Sequence, residues 1–211
     1  NLIKANNIKL RINKSEAKFL IDKTKKLKIS SENYERNHQE FEHNPMSIFI
    51  VGLPRCGSTL VESIISLNER VRDLGETNIL EDSYRAYKQT NREVDLSEIY
   101  WKKIEITGNK TTITNKWLFN YQYVGIIAQA IPNAKIIHCQ RHPLDNILSL
   151  YRAHFRTGNN FSSNLVDSAK VYSDQDEVMK IYKKEFKNHI YELNYDALVT
   201  NPSEEIKSLI H

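Results

Sequence analysis

The residues from Ile48 to Leu60, IFIVGLPRCGSTL, have the types and spacing to hold an anion. A short apolar run ends in a Gly-containing loop, and the loop opens into a helical stretch. Such a layout presents backbone N–H groups and a helix N-terminus to a phosphate-like group. Gly52, Gly57 and Thr59 fall at Walker A spacing, but Ser58 stands where that pattern needs Lys. The cation lies inside the loop instead, at Arg55. The loop therefore suits a phosphate-like group other than the β/γ-phosphates of ATP. Three further charged residues, Glu76, Lys116 and Arg141, each follow a short apolar or β-branched run. A carboxylate there can take a proton, and an Arg can grip a phosphate in a fork.

These residues need strands and helices to position them. Strands are expected at 48–51, 71–74, 111–115, 135–139 and 189–193. Helices are expected from about Ser58 (carrying Leu60, Val61, Ile64 and Ile65 toward the sheet), at 79–89, from Leu96 to Lys103, and at 121–130, 143–155, 164–186 and 203–210. Pro143 in a first turn and Pro132 after a helix fit those boundaries. Strand and helix alternate, which means a parallel sheet with helices on both faces. On such sheets ligands bind at the carboxyl ends of the strands, where all of these charged residues fall. Residues 1–45 are polar and Lys-rich with apolar residues at helical spacing (Ala17, Leu20, Ile21, Leu27), followed by a turn near Asn44-Pro45.

Pro54-Arg55-Cys56-Gly57-Ser58-Thr59-Leu60 resembles the PRSGTTL loop of the sulfotransferases that use 3′-phosphoadenosine 5′-phosphosulfate (PAPS), most closely bacterial members related to the tyrosylprotein sulfotransferases. Cys56 replaces the usual Ser and Ser58 the usual Thr. The resemblance implies a P-loop-like three-layer α/β/α fold with a central, mostly parallel sheet. It implies that Arg55, Cys56, Gly57, Ser58, Thr59 and Leu60 hold the 5′-phosphosulfate. Glu76, in a Gly-Glu context, then corresponds to the family's general base. Lys116 corresponds to the Lys that, with Arg55, meets charge on the leaving phosphate. Around it Asn115 and Leu118 stand where the family often has Asp and Pro. Arg141-His142-Pro143 with Ser149 eight positions after the Arg resembles the 3′-phosphate signature, and Tyr195 in NYDALV resembles a nucleotide-contacting Tyr after the last strand. Asp145 and Arg141 as an ion pair at a helix terminus, and Glu76 as a first-turn acid of the next helix, are the plain structural alternatives. His142 reads as structural, and Arg152 is a further cation on the same helix.

On this reading residues 1–45 are a helical lead-in, such as the end of an upstream region. Residues 46–211 are the sulfotransferase domain, expected to be truncated before the C-terminal segment that closes over the nucleotide. No metal is expected. The acceptor stays open among a protein tyrosine, a sugar, a lipid and a small alcohol, with part of its wall expected between Tyr84 and Lys110.

The composition sets wider bounds. The chain has 211 residues, enough for one sizeable core, and a formal net charge of +4 with basic residues spread among acids. That balance does not imply nucleic acid. No stretch approaches the roughly 18 apolar residues of a membrane span. Two cysteines, Cys56 and Cys139, make no disulfide framework, so a reducing, cytoplasmic setting is expected. Two other functions fit parts of the pattern. A P-loop kinase of a small molecule or nucleotide explains the loop but not the absent Walker Lys. A non-catalytic nucleotide-binding domain keeps the fold without turnover.

Overall fold

A computed structural model describes residues 1–34, 45–104 and 109–210. Five parallel strands form one sheet: β1 (Met46–Val51), β2 (Val71–Asp73), β3 (Thr112–Asn115), β4 (Ala134–Gln140) and β5 (Ile190–Asn194), in the order β2-β3-β1-β4-β5. Register places Phe49 opposite Asn115 on one side and Ile136 on the other, and Cys139 opposite Leu193. From β1 the chain moves to one edge of the sheet and returns, then continues to the other edge after β4. That reversal opens a crevice at the carboxyl ends of β1 and β4, the usual ligand position in an open α/β sheet.

The alternation of β1 sorts the core into two layers, because successive strand side chains point to opposite faces. Phe49 and Val51 join Ile113 and Ile136 under one set of helices. These are α2 (Ala17–Glu32), α4 (Ile79–Gln89), α5 (Leu96–Lys102), α6 (Val124–Ala130), α7 (Pro143–Arg152) and α8 (Leu165–Glu185). Ile50 joins Ile137, Cys139 and Leu193 on the other face, under α3 (Ser58–Ile65), α9 (Tyr195–Thr200) and α10 (Pro202–Ile210). The three-layer α/β/α arrangement expected from the strand–helix alternation is the one found. Asn side chains set two helix starts: Asn164 accepts from the N–H groups of Val166 and Asp167, and Asn194 from those of Asp196 and Ala197. No described helix is long and apolar enough to cross a membrane.

The N-terminal helices α1 (Leu2–Ile12) and α2 pack on this body. Leu20 and Leu27 enter the main core, while Asn6 Nδ2 donates to the Tyr151 carbonyl (3.0 Å) and Lys9 Nζ to that of Phe155 (3.2 Å). Those two bonds take up carbonyls just where α7 ends, three residues short of the expected Phe155. The helix expected at 121–130 begins instead as a 3-10 helix, Leu118–Tyr123, before α6. Asn115 Oδ1 accepts from Asn120 Nδ2 (3.1 Å) and Gly52 N–H donates to the Leu118 carbonyl (3.2 Å), so the chain leaves β3 pinned on both sides. Leu60 departs from expectation: it is 43% exposed, and α3 buries Ser58, Val61 and Glu62. Those three lie at i, i+3 and i+4, one face of a helix that starts at Ser58. Asn44 of the expected turn lies outside the described residues, as do 105–108 of the expected acceptor wall. Within that wall Tyr87 and Tyr100 are core residues.

Candidate functional site

The loop after β1 is shaped by glycine where nothing else fits. At Gly52 (φ +152°) a Cβ would stand 2.7 Å from the Cys139 carbonyl oxygen of β4. At Gly57 (φ +92°) it would stand 2.0 Å from the Tyr195 ring. Between them Arg55 is held at φ 74°. A left-handed conformation costs a non-glycine residue about 1–2 kcal/mol, and such strain gathers at ligand clamps. Gly57 is the N-cap of α3 and offers no side-chain cap. Of the first-turn N–H groups of α3, that of Leu60 donates to the Gly57 carbonyl (3.0 Å), while those of Ser58 and Thr59 precede the first intrahelical acceptor and carry the positive end of the helix dipole. The Cys56 side chain turns away from the cleft into the core beside Cys139, and its N–H donates to the Leu53 carbonyl (3.3 Å), so neither is offered to the cleft. The Cys139 thiol donates to Cys56 Sγ, which draws the Cys56 thiol below its ordinary range against the upward push of burial. The same bond, with burial, pushes Cys139 up.

On the β3 side of the loop Lys116 is the central charge. It is 6% exposed, and its N–H donates to the Gly75 carbonyl (3.1 Å), which sets the β3 end against the loop after β2. Its Nζ stands 3.4 Å from Thr59 Oγ1, 3.4 Å from Glu76 Oε1 and 3.2 Å from Glu62 Oε2. Glu76 lies in the loop before α4 with its side chain 63% exposed, so it is not a first-turn residue of that helix. Glu62 is buried, and its Oε1 accepts from Thr114 Oγ1 (3.1 Å). Sequence reading passed over Glu62. The available signal was an acid four residues after Ser58, in the apolar stripe of a helix whose start was already placed.

On the β4 side lies an open cleft of about 410 Å³ lined by Arg55, Arg141, Asp145, Leu148, Ser149, Arg152 and Ala153. Three guanidinium groups thus face one space. Arg55 Nε donates to Ser149 Oγ (3.2 Å), and Arg141 donates from a terminal nitrogen to the Arg55 carbonyl (3.3 Å). Asn146, buried in α7, donates to the Pro54 carbonyl (3.2 Å), so loop and helix are bonded together. The Arg141 guanidinium lies 5.2 Å from the centre of the Tyr195 ring, and its Nε is buried without a partner among the described residues. Asp145 stands by the His142 ring (3.8 Å) rather than in an ion pair with Arg141. The His142 N–H donates to Asp196 Oδ2 (2.7 Å), which locks the start of α7 to the start of α9.

The residues expected from sequence thus gather around one crevice in two groups. Thr59, Glu76 and Lys116 form one. Arg55, Arg141, Ser149 and Tyr195 form the other, with Gly57 under the Tyr195 ring. Arg55 reaches toward Ser149 and not toward Lys116. Leu60 stands on the outer side of α3, and Ser58 is buried at its start. Beneath the loop, His138 is 1% exposed beside the side-chain amides of Gln140 and Gln175, and burial pushes it down to about 3. A neutral imidazole there cannot add to the cleft's charge.

Comparison with known proteins gives three findings. A model described as "Sulfotransferase family" matches residues 45–211. An uncharacterized protein of Aquifex aeolicus (strain VF5) is 28% identical over 236 aligned positions, which take in 99% of this chain and 31% of that protein. The chain therefore spans about a third of the length of that relative. Among solved structures, a sulfotransferase from Alicyclobacillus acidocaldarius aligns with a TM-score of 0.55 at 14% identity, covering 78% of each chain. A sulfotransferase from Mycobacterium tuberculosis H37Rv aligns with a TM-score of 0.55 at 11% identity, covering 92% of this chain and 72% of that one. At such identities the two structures speak to the fold.

Proposed function

Because this chain belongs to the sulfotransferase family, we propose that it moves a sulfuryl group from PAPS to an acceptor hydroxyl. One observation carries the donor: three arginines and Ser149 line a single cleft that adjoins an uncapped helix N-terminus. A bisphosphorylated nucleotide needs two anion sites, and the unpartnered Arg141 Nε is a donor left over for one of them. In this reading Arg141 and Ser149 grip the 3′-phosphate and Tyr195 lies against the nucleotide. The 5′-phosphosulfate lies against the loop from Arg55 to Thr59, at the start of α3; the Cys56 and Leu60 N–H groups are already bonded to the Leu53 and Gly57 carbonyls. The donor supplies the sulfuryl group and a phosphate leaving group.

The residues then divide the chemistry. Glu76, exposed beside Lys116, takes the acceptor's hydroxyl proton as the new sulfur–oxygen bond forms. Lys116 and Arg55 meet the charge left on the phosphate oxygen as the old sulfur–oxygen bond breaks. Positioning and fixed charge do the rest, as in phosphoryl transfer.

The test is calorimetric binding of adenosine 3′,5′-bisphosphate against ADP and 5′-AMP without metal, followed by PAPS turnover in EDTA with a phenol, a tyrosine peptide and a sugar alcohol. Preference for the bisphosphate of about 10-fold or more, equivalent to one charge-assisted bond, is the expected result. Equal binding of all three, or binding only of ATP with Mg²⁺, overturns it in favour of a kinase. Selective binding with no transfer to any acceptor leaves a nucleotide-binding domain in its place.

A further inference from the structure

We propose that Glu62 is the residue that positions Lys116 for catalysis, an inference that rests on the donor site described above. The Lys116 ammonium has three N–H donors, and three acceptors surround it within 3.4 Å. They are not equivalent. Thr59 is a neutral hydroxyl on an exposed residue, and Glu76 is a carboxylate whose side chain is 63% exposed. Glu62 alone is both charged and buried, at 8% exposure. Its second oxygen is taken by Thr114 Oγ1, so both carboxylate oxygens are committed and the side chain has no competing partner in water. A buried charge of this kind stays where its partner is, because separating the pair leaves both uncompensated.

Glu62 also sits on α3, the helix whose N-terminus frames the anion loop, while Thr114 and Lys116 belong to the end of β3. The Glu62 carboxylate is therefore a bolt between the loop's helix and the strand that carries the cation. Lys116 keeps this bond while its contacts to Thr59 and Glu76 exchange for oxygens of the donor. Releasing Glu76 in that exchange frees its carboxylate for the acceptor hydroxyl. Without Glu62 the anionic partner left to Lys116 is Glu76 itself, and the cation ties up the base.

The measurement is release of adenosine 3′,5′-bisphosphate from PAPS, with the same three-acceptor mixture, by wild type, Glu62→Gln, Glu62→Asp, Lys116→Met and the Glu62→Gln/Lys116→Met double variant. Glu62→Gln lowers kcat about 100-fold, the scale of losing one oriented charge contact, with KM for PAPS within about threefold. Glu62→Asp keeps the charge one methylene short and falls between, near a 10-fold loss. The double variant turns over no more slowly than Lys116→Met alone, because Glu62 acts through Lys116. It also melts higher than Glu62→Gln, since no buried ammonium remains with only an exposed carboxylate to compensate it. A Glu62→Gln kcat within twofold of wild type overturns the inference, as do losses that multiply in the double variant. Should Glu62→Gln not fold, a Glu62→Asp kcat equal to wild type does the same. If wild type itself releases no product, the PAPS reading fails first. If wild type turns over and the Glu62 variants match it, only the role of Glu62 fails.

Discussion

Gly57→Ala tests whether the loop after β1 and the start of α9 form one unit. In the structure the added Cβ lies 2.0, 2.7 and 2.9 Å from three atoms of the Tyr195 ring. Carbon contacts sit near 3.5–4.0 Å, so the ring must retreat by about 1.5 Å or the loop must open. Overpacking of that order costs about 1–3 kcal/mol. The backbone at φ +92° adds about 1–2 kcal/mol for any L side chain. Together these amount to roughly 3 kcal/mol, or a fall of about 6–12 °C in Tm for a chain of this length. The ring also carries the Arg141 guanidinium at 5.2 Å, so its retreat loosens the cation proposed to grip the 3′-phosphate. Thermal unfolding and bisphosphate calorimetry on Gly57→Ala, Tyr195→Ala and the double variant separate the two contributions. In the Tyr195→Ala background the glycine substitution should lose only the backbone part, about 1–2 kcal/mol. If it is as damaging there as in wild type, the ring is not what holds position 57 to glycine. If Gly57→Ala melts within a degree of wild type, both contributions are wrong.

Other outcomes follow from the same structure. Glu76→Gln should cut turnover about 100-fold or more while bisphosphate affinity changes little; lost affinity would remove Glu76 from the base role. Gly125→Ala should destabilise by about 1–2 kcal/mol despite alanine's better helix propensity, because its Cβ would meet Ser31 Oγ at 2.5 Å and the Tyr182 ring at 2.8 Å; denaturant unfolding checks it. His138 titrates near 3 when folded against an ordinary 6.5, so the unfolded chain binds the extra proton between those values and stability drains as pH falls below 6.5. At pH 5 that loss is about 2 kcal/mol, partly offset by Asp95 and Asp174, whose carboxyls burial pushes up. Denaturant unfolding at pH 7.5 and 5.0 should show a pH loss about 2 kcal/mol smaller for His138→Gln, and equal losses would refute it.

Much of this molecule was legible in the order of its residues. The unbroken apolar run at 48–51 reads as a strand buried on both faces, and its alternation with helices and further strands points to a parallel sheet. Strand ends then placed Arg55, Glu76, Lys116, Arg141 and Tyr195 at one rim, because a parallel sheet sends all its carboxyl ends the same way. Glycine at 52 and 57 was likewise written in the chain, since the loop needs backbone space and positive φ there.

Tertiary structure decided the pairings. That Arg55 reaches Ser149 and not Lys116 depends on α7 crossing above the loop, a distance of 94 residues in sequence. Cys56 stands in the loop motif, yet its side chain belongs to the core beneath, because β4 brings Cys139 alongside. Expected helix ends failed at Arg152 and Leu118, where bonds from Asn6, Lys9 and Asn115 displaced local preference. Glu62 was invisible for the same reason: periodicity marks which face of α3 turns inward but not which residue waits there. Local pattern fixes a strand, a turn or a helix face, because those depend on neighbours within a few residues. The partner of a buried charge depends on which elements the fold lays side by side, and here β3 laid Lys116 and Thr114 against Glu62.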